Sequence, residues 1–324
     1  MTEREGWPLR HRVAAAALMI ALALVLAGCR PLVETQPQSI SIYATFSPIY
    51  ALADAVMRDI PEASLHCLVQ PQDGCLRDYQ LSDWDARLLA SADGVLSGGR
   101  GLESFESTLF SWGEGGPAVS AVLYNLELYN SGEKKGDSEQ ESHLKGENPH
   151  LYMSVDGAKR IVESISAMLV SMDPQYGGQY AKNTEAALEE LQALDDQTHE
   201  ILAPYAGRRV ILMNEALVYP AEDYGLEIAD WIDRESGNGM YEDALRTCLD
   251  RLRDAEAGVI LIERQAPQRL VEALEGAGFS VAKLDIFSTG REDDGFDAYV
   301  QAQLENAREI RDAFVRADGE EGGL

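Results

Sequence analysis

Short runs of apolar, β-prone residues alternate along the chain with stretches whose apolar positions recur every three or four residues. That is the pattern of βα units, and hence of a mainly parallel sheet. Two such sets are visible. In the first, Ser41–Ala44, Leu65–Val69, Gly94–Ser97 and Val119–Leu123 read as strands, with helices at Pro48–Arg58 and Ser82–Ser91. In the second, Val210–Asn214, Leu226–Trp231, Val259–Glu263 and Val281–Leu284 read as strands, with helices at Tyr241–Asp254 and Pro267–Gly276. Between the sets, Ile161, Ile165, Met168 and Leu169 share one helical face. Asp173-Pro174 breaks the pattern as an N-cap and first-turn pair, and Tyr180, Ala187, Leu191, Leu194 and Leu202 resume it. A helix of about 28 residues spans about 40 Å, the length of a small domain. The expectation is an α/β fold of two lobes, each a mainly parallel four-stranded sheet flanked by helices, joined by a long rigid helix. The lobes fall at residues 40–155 and 206–324, with linking helices over 156–205.

Two segments stand outside this pattern. Residues 129–147 lack periodicity and are rich in Gly, Ser and charge, so they read as a mobile surface loop whose His143 is solvated. At the front, Arg4, Arg10 and Arg12 precede an apolar run, Val13 to Val25, too short to be a stable membrane span. It ends in Leu26-Ala27-Gly28-Cys29, which resembles the lipobox of bacterial lipoproteins. That resemblance implies a signal peptide at 1–28, a lipid anchor on Cys29, a polar tether at 29–39 and an extracytoplasmic chain held at a membrane face.

Composition narrows the function classes. With 27 Lys+Arg against 55 Asp+Glu the formal charge is -28, spread along the chain, and such a surface repels phosphate backbones, so no nucleic-acid partner is expected. Outside the cytosol Cys67 and Cys75 can close a short disulfide loop around Gln70-Pro71-Gln72-Asp73-Gly74, leaving Cys248 odd. A buried thiol pair, or Cys75 as a soft metal ligand, are the competing readings. His66-Cys67 fails as a phosphatase loop because Asp73 stands where that loop needs arginine. No Gly-x-Ser-x-Gly elbow, Walker loop, His-Glu-x-x-His helix or complete Gly-x-Gly-x-x-Gly turn occurs, and the Gly98–Gly101 group lacks its third glycine at Ser104. An enzyme is not expected. Glu263 reads as a strand-end carboxylate, His66 as a strand residue and His199 as a residue on the polar flank of the long helix.

The order of motifs resembles one family, the lipoprotein solute-binding components of zinc and manganese ABC importers. Its opening strand and helix are matched by Ala44-Thr45-Phe46-Ser47-Pro48, and its "HDY-PS" by Arg77-Asp78-Tyr79-Gln80-Leu81-Ser82. The "nG-glE-f" segment is matched by Ser97-Gly98-Gly99-Arg100-Gly101-Leu102-Glu103-Ser104-Phe105, and "DPH" by Asn148-Pro149-His150. In the second half Asn214-Glu215-Ala216-Leu217-Val218-Tyr219, Ile260-Leu261-Ile262-Glu263 and Lys283-Leu284-Asp285-Ile286-Phe287 take their places in order, so that the resemblance covers roughly residues 40–315.

The resemblance implies a transported Zn or Mn ion held between the lobes, an ABC permease as partner and a monomer. The four ligand positions read Arg77, His150, Asn214 and Asp285. Imidazole and carboxylate suit zinc and manganese, but arginine stays protonated and cannot ligate. Three readings follow. Asp78, Glu215 and Cys75 rescue the site beside His150 and Asp285. Alternatively Arg77 replaces the cation by pairing with Asp285 or Glu215, making a scaffold or adhesin-like lipoprotein that binds no metal. In the third, Arg77 and Asn214 receive a small anionic ligand.

Overall fold

The computed structural model describes residues 40–69, 79–113, 115–129, 147–232, 249–287 and 295–321. The signal-peptide, Cys29 and tether expectations lie outside these residues, as do those on Cys75, Arg77, Asp78, His143, Cys248 and nearly all of the 129–147 loop. No helix among the described residues is long and apolar enough to cross a membrane.

Among the described residues eight strands form two parallel four-stranded sheets. The first holds β1 (Ile40–Ala44), β2 (Ala63–Cys67), β3 (Gly94–Ser97) and β4 (Ala118–Ala121) in the order β2-β1-β3-β4. The second holds β5 (Arg209–Leu212), β6 (Glu227–Trp231), β7 (Val259–Glu263) and β8 (Ser280–Leu284) in the order β6-β5-β7-β8, so one topology is used twice. β2 starts two residues earlier than its apolar run, because Ile40 pairs with Ala63 and Ala44 with Cys67. Leu68 and Val69 still donate to the Ala44 and Thr45 carbonyls, carrying the ladder past the strand end.

The helices follow from local chemistry. α1 (Ser47–Met57) has Pro48 in its first turn and is buried nearly all round, as befits a helix inside the core. α2 (Asp83–Ala90) carries a capping box, with Ser82 accepting from the Asp85 amide and Asp85 accepting from the Ser82 amide. A short α3 (Glu106–Ser111) precedes β4. α4 (Val155–Met172) is capped by Ser154, which accepts from the Gly157 amide at 3.0 Å. α5 (Gly177–Leu202), 26 residues and so about 39 Å long, runs between the sheets as the long helix. Its start departs from expectation: Pro174–Tyr176 is a separate 3-10 turn, and Asp173 makes no side-chain cap. The Asp173 carboxylate accepts instead from the Tyr180 hydroxyl at 3.1 Å. Of the expected Tyr241–Asp254 helix, residues 249–254 are described and helical. α6 (Val218–Asp223) and α7 (Gln268–Gly276) flank the second sheet.

The C-terminal helix α8 (Phe296–Glu321) was not anticipated from the sequence. It packs on α1 of the first half, on α5, and on β7 and β8 of the second half, so two long helices join the sheets. Residues 39–324 accordingly cluster as one compact unit with a continuous apolar core through both halves. Strand alternation divides the second sheet: Val210, Leu212, Val259 and Leu261 face that shared core, while Ile211, Met213, Ile260 and Ile262 pack with Leu270, Val271 and Leu274 of α7.

Candidate functional site

In both sheets the strand order reverses beside the first strand, and an open parallel sheet binds its ligands at the carboxyl ends of strands near such a reversal. The loops after β1, β3, β5 and β8 carry Thr45, Gly98, Glu215 and Asp285. In the first half this end is organised by Glu103, 3% exposed, whose carboxylate accepts from the Thr45 hydroxyl (2.6 Å), the Gly98 amide (2.7 Å) and the Gly99 amide (3.0 Å). Burial raises the Glu103 pKa, and these hydrogen bonds oppose the rise. Gly99, Arg100 and Gly101 all have positive φ, which turns the chain around Glu103 and gives the Gly101 amide to Glu106 at 2.8 Å. The glycine-rich group thus satisfies its own carboxylates and is not a phosphate cradle.

His150 lies on the stretch that enters α4, as the cap of a 3-10 turn over Leu151–Met153. Gly157 permits this turn, since a Cβ there would stand 2.0 Å from the Leu151 carbonyl oxygen. The second half grips the stretch from two sides. The Tyr219 hydroxyl donates to the Asn148 carbonyl at 2.6 Å, and burial pushes its pKa up to about 12, keeping it a donor. The Tyr299 hydroxyl and Gln303 Nε2 donate to the Tyr152 carbonyl at 2.7 and 3.3 Å. An edge-to-face chain of rings runs from His150 to Tyr152 to Phe287, which stacks on Tyr299 at 4.9 Å.

Around the His150 ring, Nδ1 is 2.8 Å from Asn148 Oδ1 and 3.5 Å from Glu215 Oε1. The imidazole and the Glu215 carboxylate are both buried. Asn148 Nδ2 also donates to the Glu215 carbonyl at 2.8 Å. Asn214 plays a different part, because its Oδ1 accepts from the Ala216 amide at 2.9 Å and caps the 3-10 turn Glu215–Leu217. That turn carries Glu215, one residue on, toward His150.

Asp285 is placed apart from this pair. Its Oδ1 accepts from the Phe287 amide (2.8 Å), Asn306 of α8 holds its backbone amide and carbonyl (2.8 and 2.9 Å), and Oδ2 lies 3.5 Å from Arg264. Phe287 takes a positive φ of 59°, an uncommon conformation for an aromatic residue, held by this cap and the Tyr299 stack. Among the described residues no group of three or more His, Cys, Asp or Glu side chains is gathered as for a metal ion. The structure brings together His150 and Glu215. Cys67 is buried at the end of β2, its Sγ 3.5 Å from the Val69 carbonyl oxygen, and Cys75 is outside the described residues. His199 stands against Asp195 and the Asp223 carbonyl, away from His150. Sequence reasoning missed Arg264 as the partner of Asp285, and took Asn148 only as the first residue of the matched "DPH" segment.

A family model described as "Zinc-uptake complex component A periplasmic" matches residues 42–313. The iron-binding protein YfeA of Yersinia pestis is 27% identical over 272 residues, covering 81% of this chain and 82% of that protein. The manganese-binding lipoprotein MntA of Bacillus subtilis is 25% identical over 280 residues, covering 83% and 86%. Among solved structures, the solute-binding protein FpvC of Pseudomonas aeruginosa in complex with Mn2+ superimposes with a TM-score of 0.71 at 23% identity, covering 88% of this chain and 100% of that one. The Zn(II)-bound ZnuA-like domain of Streptococcus pneumoniae AdcA gives 0.69 at 20%, covering 85% and 99%.

Proposed function

The chain belongs to the periplasmic zinc-uptake component A family, whose members are solute-binding proteins rather than enzymes, and we propose from that premise how it takes its ligand. It is the extracytoplasmic, lipid-anchored receptor of an ABC importer for a divalent transition metal, zinc or manganese, which it hands to a permease. The observation that carries this reading is the buried pairing of His150 with Glu215 across the two halves, at 3.5 Å. The pairing brings an imidazole and a carboxylate, ligand types that suit Zn or Mn, into one buried place that is too polar for an apolar ligand. The ion is cargo rather than a resident cofactor.

In this reading His150 and Glu215 are the inner ligands and Asp78 is a further carboxylate, while Asp285, held by Phe287, Asn306 and Arg264, is not gathered with them. Asn214 acts indirectly, since its cap sets the turn that presents Glu215. The competing scaffold reading pairs Arg77 with Asp285 or Glu215, yet Asp285 already has Arg264 within 3.5 Å. Isothermal titration of Zn(II) and Mn(II) into the chelator-treated protein, with His150→Ala alongside, tests the proposal. Micromolar or tighter binding that the variant loses supports it, and absence of heat from either ion in the folded protein overturns it.

A further inference from the structure

Three constraints meet on the Asn148 side chain, which is fully buried. Its Nδ2 donates to the Glu215 carbonyl, and a carbonyl oxygen can only accept. That fixes which end of the amide is nitrogen. Its Oδ1 therefore faces the other way, where it accepts from the His150 backbone amide at 3.0 Å and contacts His150 Nδ1 at 2.8 Å. An oxygen with only lone pairs to offer, at that distance from a ring nitrogen, requires the proton to be on Nδ1. A ligating imidazole must be neutral, and with the proton on Nδ1 its lone pair is on Nε2.

We propose that Asn148 is the positioning residue of the site: it selects Nε2 of His150 as the ligand atom for a divalent cation and binds that choice to the second lobe through the Glu215 carbonyl. An aspartate at this position would accept from Nδ1 equally well, but it has no Nδ2 hydrogen to give Glu215. The amide therefore acts in two directions at once, orienting a ring supplied by one half and anchoring the turn that carries a carboxylate from the other. Partners of this kind, one shell out from the ion, commonly set metal affinity by orienting the ligand. The affinity part of the inference rests on the metal-receptor reading above; the tautomer part does not.

The experiment uses the full chain in detergent, metal-free, with nitrogen-15 histidine, and reads the His150 ring nitrogens by long-range proton–nitrogen correlation. The signals are assigned by their loss in His150→Gln. The wild type is expected to show the proton on Nδ1. Asn148→Asp keeps that tautomer, whereas Asn148→Leu releases it, and zinc affinity measured by chelator competition falls ~10–100-fold in the leucine variant but less than ~10-fold in the aspartate variant. Because the site is buried, circular dichroism checks each fold, and Asn148→Ser replaces a leucine variant that does not fold. A wild-type proton on Nε2 overturns the proposal, and so does a leucine variant with unchanged tautomer, whether or not its affinity falls. A wild type with Nδ1 protonated that binds no zinc defeats the metal-receptor reading and the affinity part together, and leaves the orienting role of Asn148 supported.

Discussion

The carboxylate of Asp54, on α1 in the first half, accepts a hydrogen bond at 3.0 Å from the backbone amide of Phe296, the first residue of α8. A helix leaves its first amides without internal partners, and here the cap comes from a helix 242 residues away in sequence. The approach depends on Gly295, where a Cβ would stand 2.5 Å from Asp54 Oδ2. Further along, Asn306 of the same helix fastens Asp285, and Arg316 donates to the Val281 carbonyl at 2.8 Å. One helix is thus pinned to both halves. Asp54→Ala is expected to cost about 1 kcal/mol, a loss of a cap, and to lower the melting temperature by about 2–4 °C in a calorimetric scan. Unchanged melting would show that the cap does not hold α8.

Removal of either inner ligand should be far more damaging to metal binding than to folding. His150→Ala and Glu215→Gln are each expected to weaken zinc by more than the ~10–100-fold typical of outer-shell changes. Asn214→Ala should act more mildly, by loosening the turn that presents Glu215. Chelator-competition titrations rank the three, and an Asn214 effect equal to that of Glu215 would make Asn214 a ligand.

An ion that binds only the folded state stabilises it by mass action. At a free zinc concentration 100 times the dissociation constant, the gain is about 2.7 kcal/mol, or roughly 5–10 °C in melting temperature. The shift should vanish in His150→Ala. A melting point indifferent to zinc and manganese in the wild type contradicts the site.

His199 gives the stability a pH dependence. Burial lowers its pKa, but the hydrogen bond to the Asp195 carbonyl and the charges of Asp223 and Asp195 outweigh this and raise it above 6.5. A raised histidine pKa stabilises fully below the unfolded value of 6.5. That contribution fades as pH rises from there through the folded value. Urea midpoints measured across this range should fall with pH in the wild type, and the fall should be smaller in His199→Gln. A steeper fall in the variant would reverse the assignment.

Glu103 is expected to be a structural keystone of the first half's ligand-facing end. Glu103→Ala strands the Gly98 and Gly99 amides, and a buried donor left without a partner costs about 1–3 kcal/mol. A loss of ~2–6 kcal/mol, seen as a lower urea midpoint at constant slope, is the predicted outcome. A change below about 0.5 kcal/mol would mean that water replaces the carboxylate without penalty.

The sequence by itself determined the two sets of βα units and the long helix between them. Buried parallel strands are continuous apolar runs such as Val259–Glu263, and α5 repeats its apolar face at helical spacing, so both signals are local. Through a resemblance in motif order it also nominated Arg77, His150, Asn214 and Asp285, and it named Glu215 as the neighbour of Asn214. Strand ends such as that of β2 were less legible, because pairing with β1 and not composition sets them. α8 escaped notice although Phe296, Tyr299, Ile310 and Phe314 are spaced as one face. Gln303 and Asn306 interrupt that face, and they are polar because they hold the Tyr152 carbonyl and the Asp285 backbone. Tertiary structure alone decided that Asn214 caps while Glu215 meets His150, that Asp285 pairs with Arg264, and that Asn148 orients the imidazole. Periodicity reports which face of an element is buried; partners brought together across 67 or 71 positions of chain, like Asn148 with Glu215 or with Tyr219, are fixed only when the two halves pack.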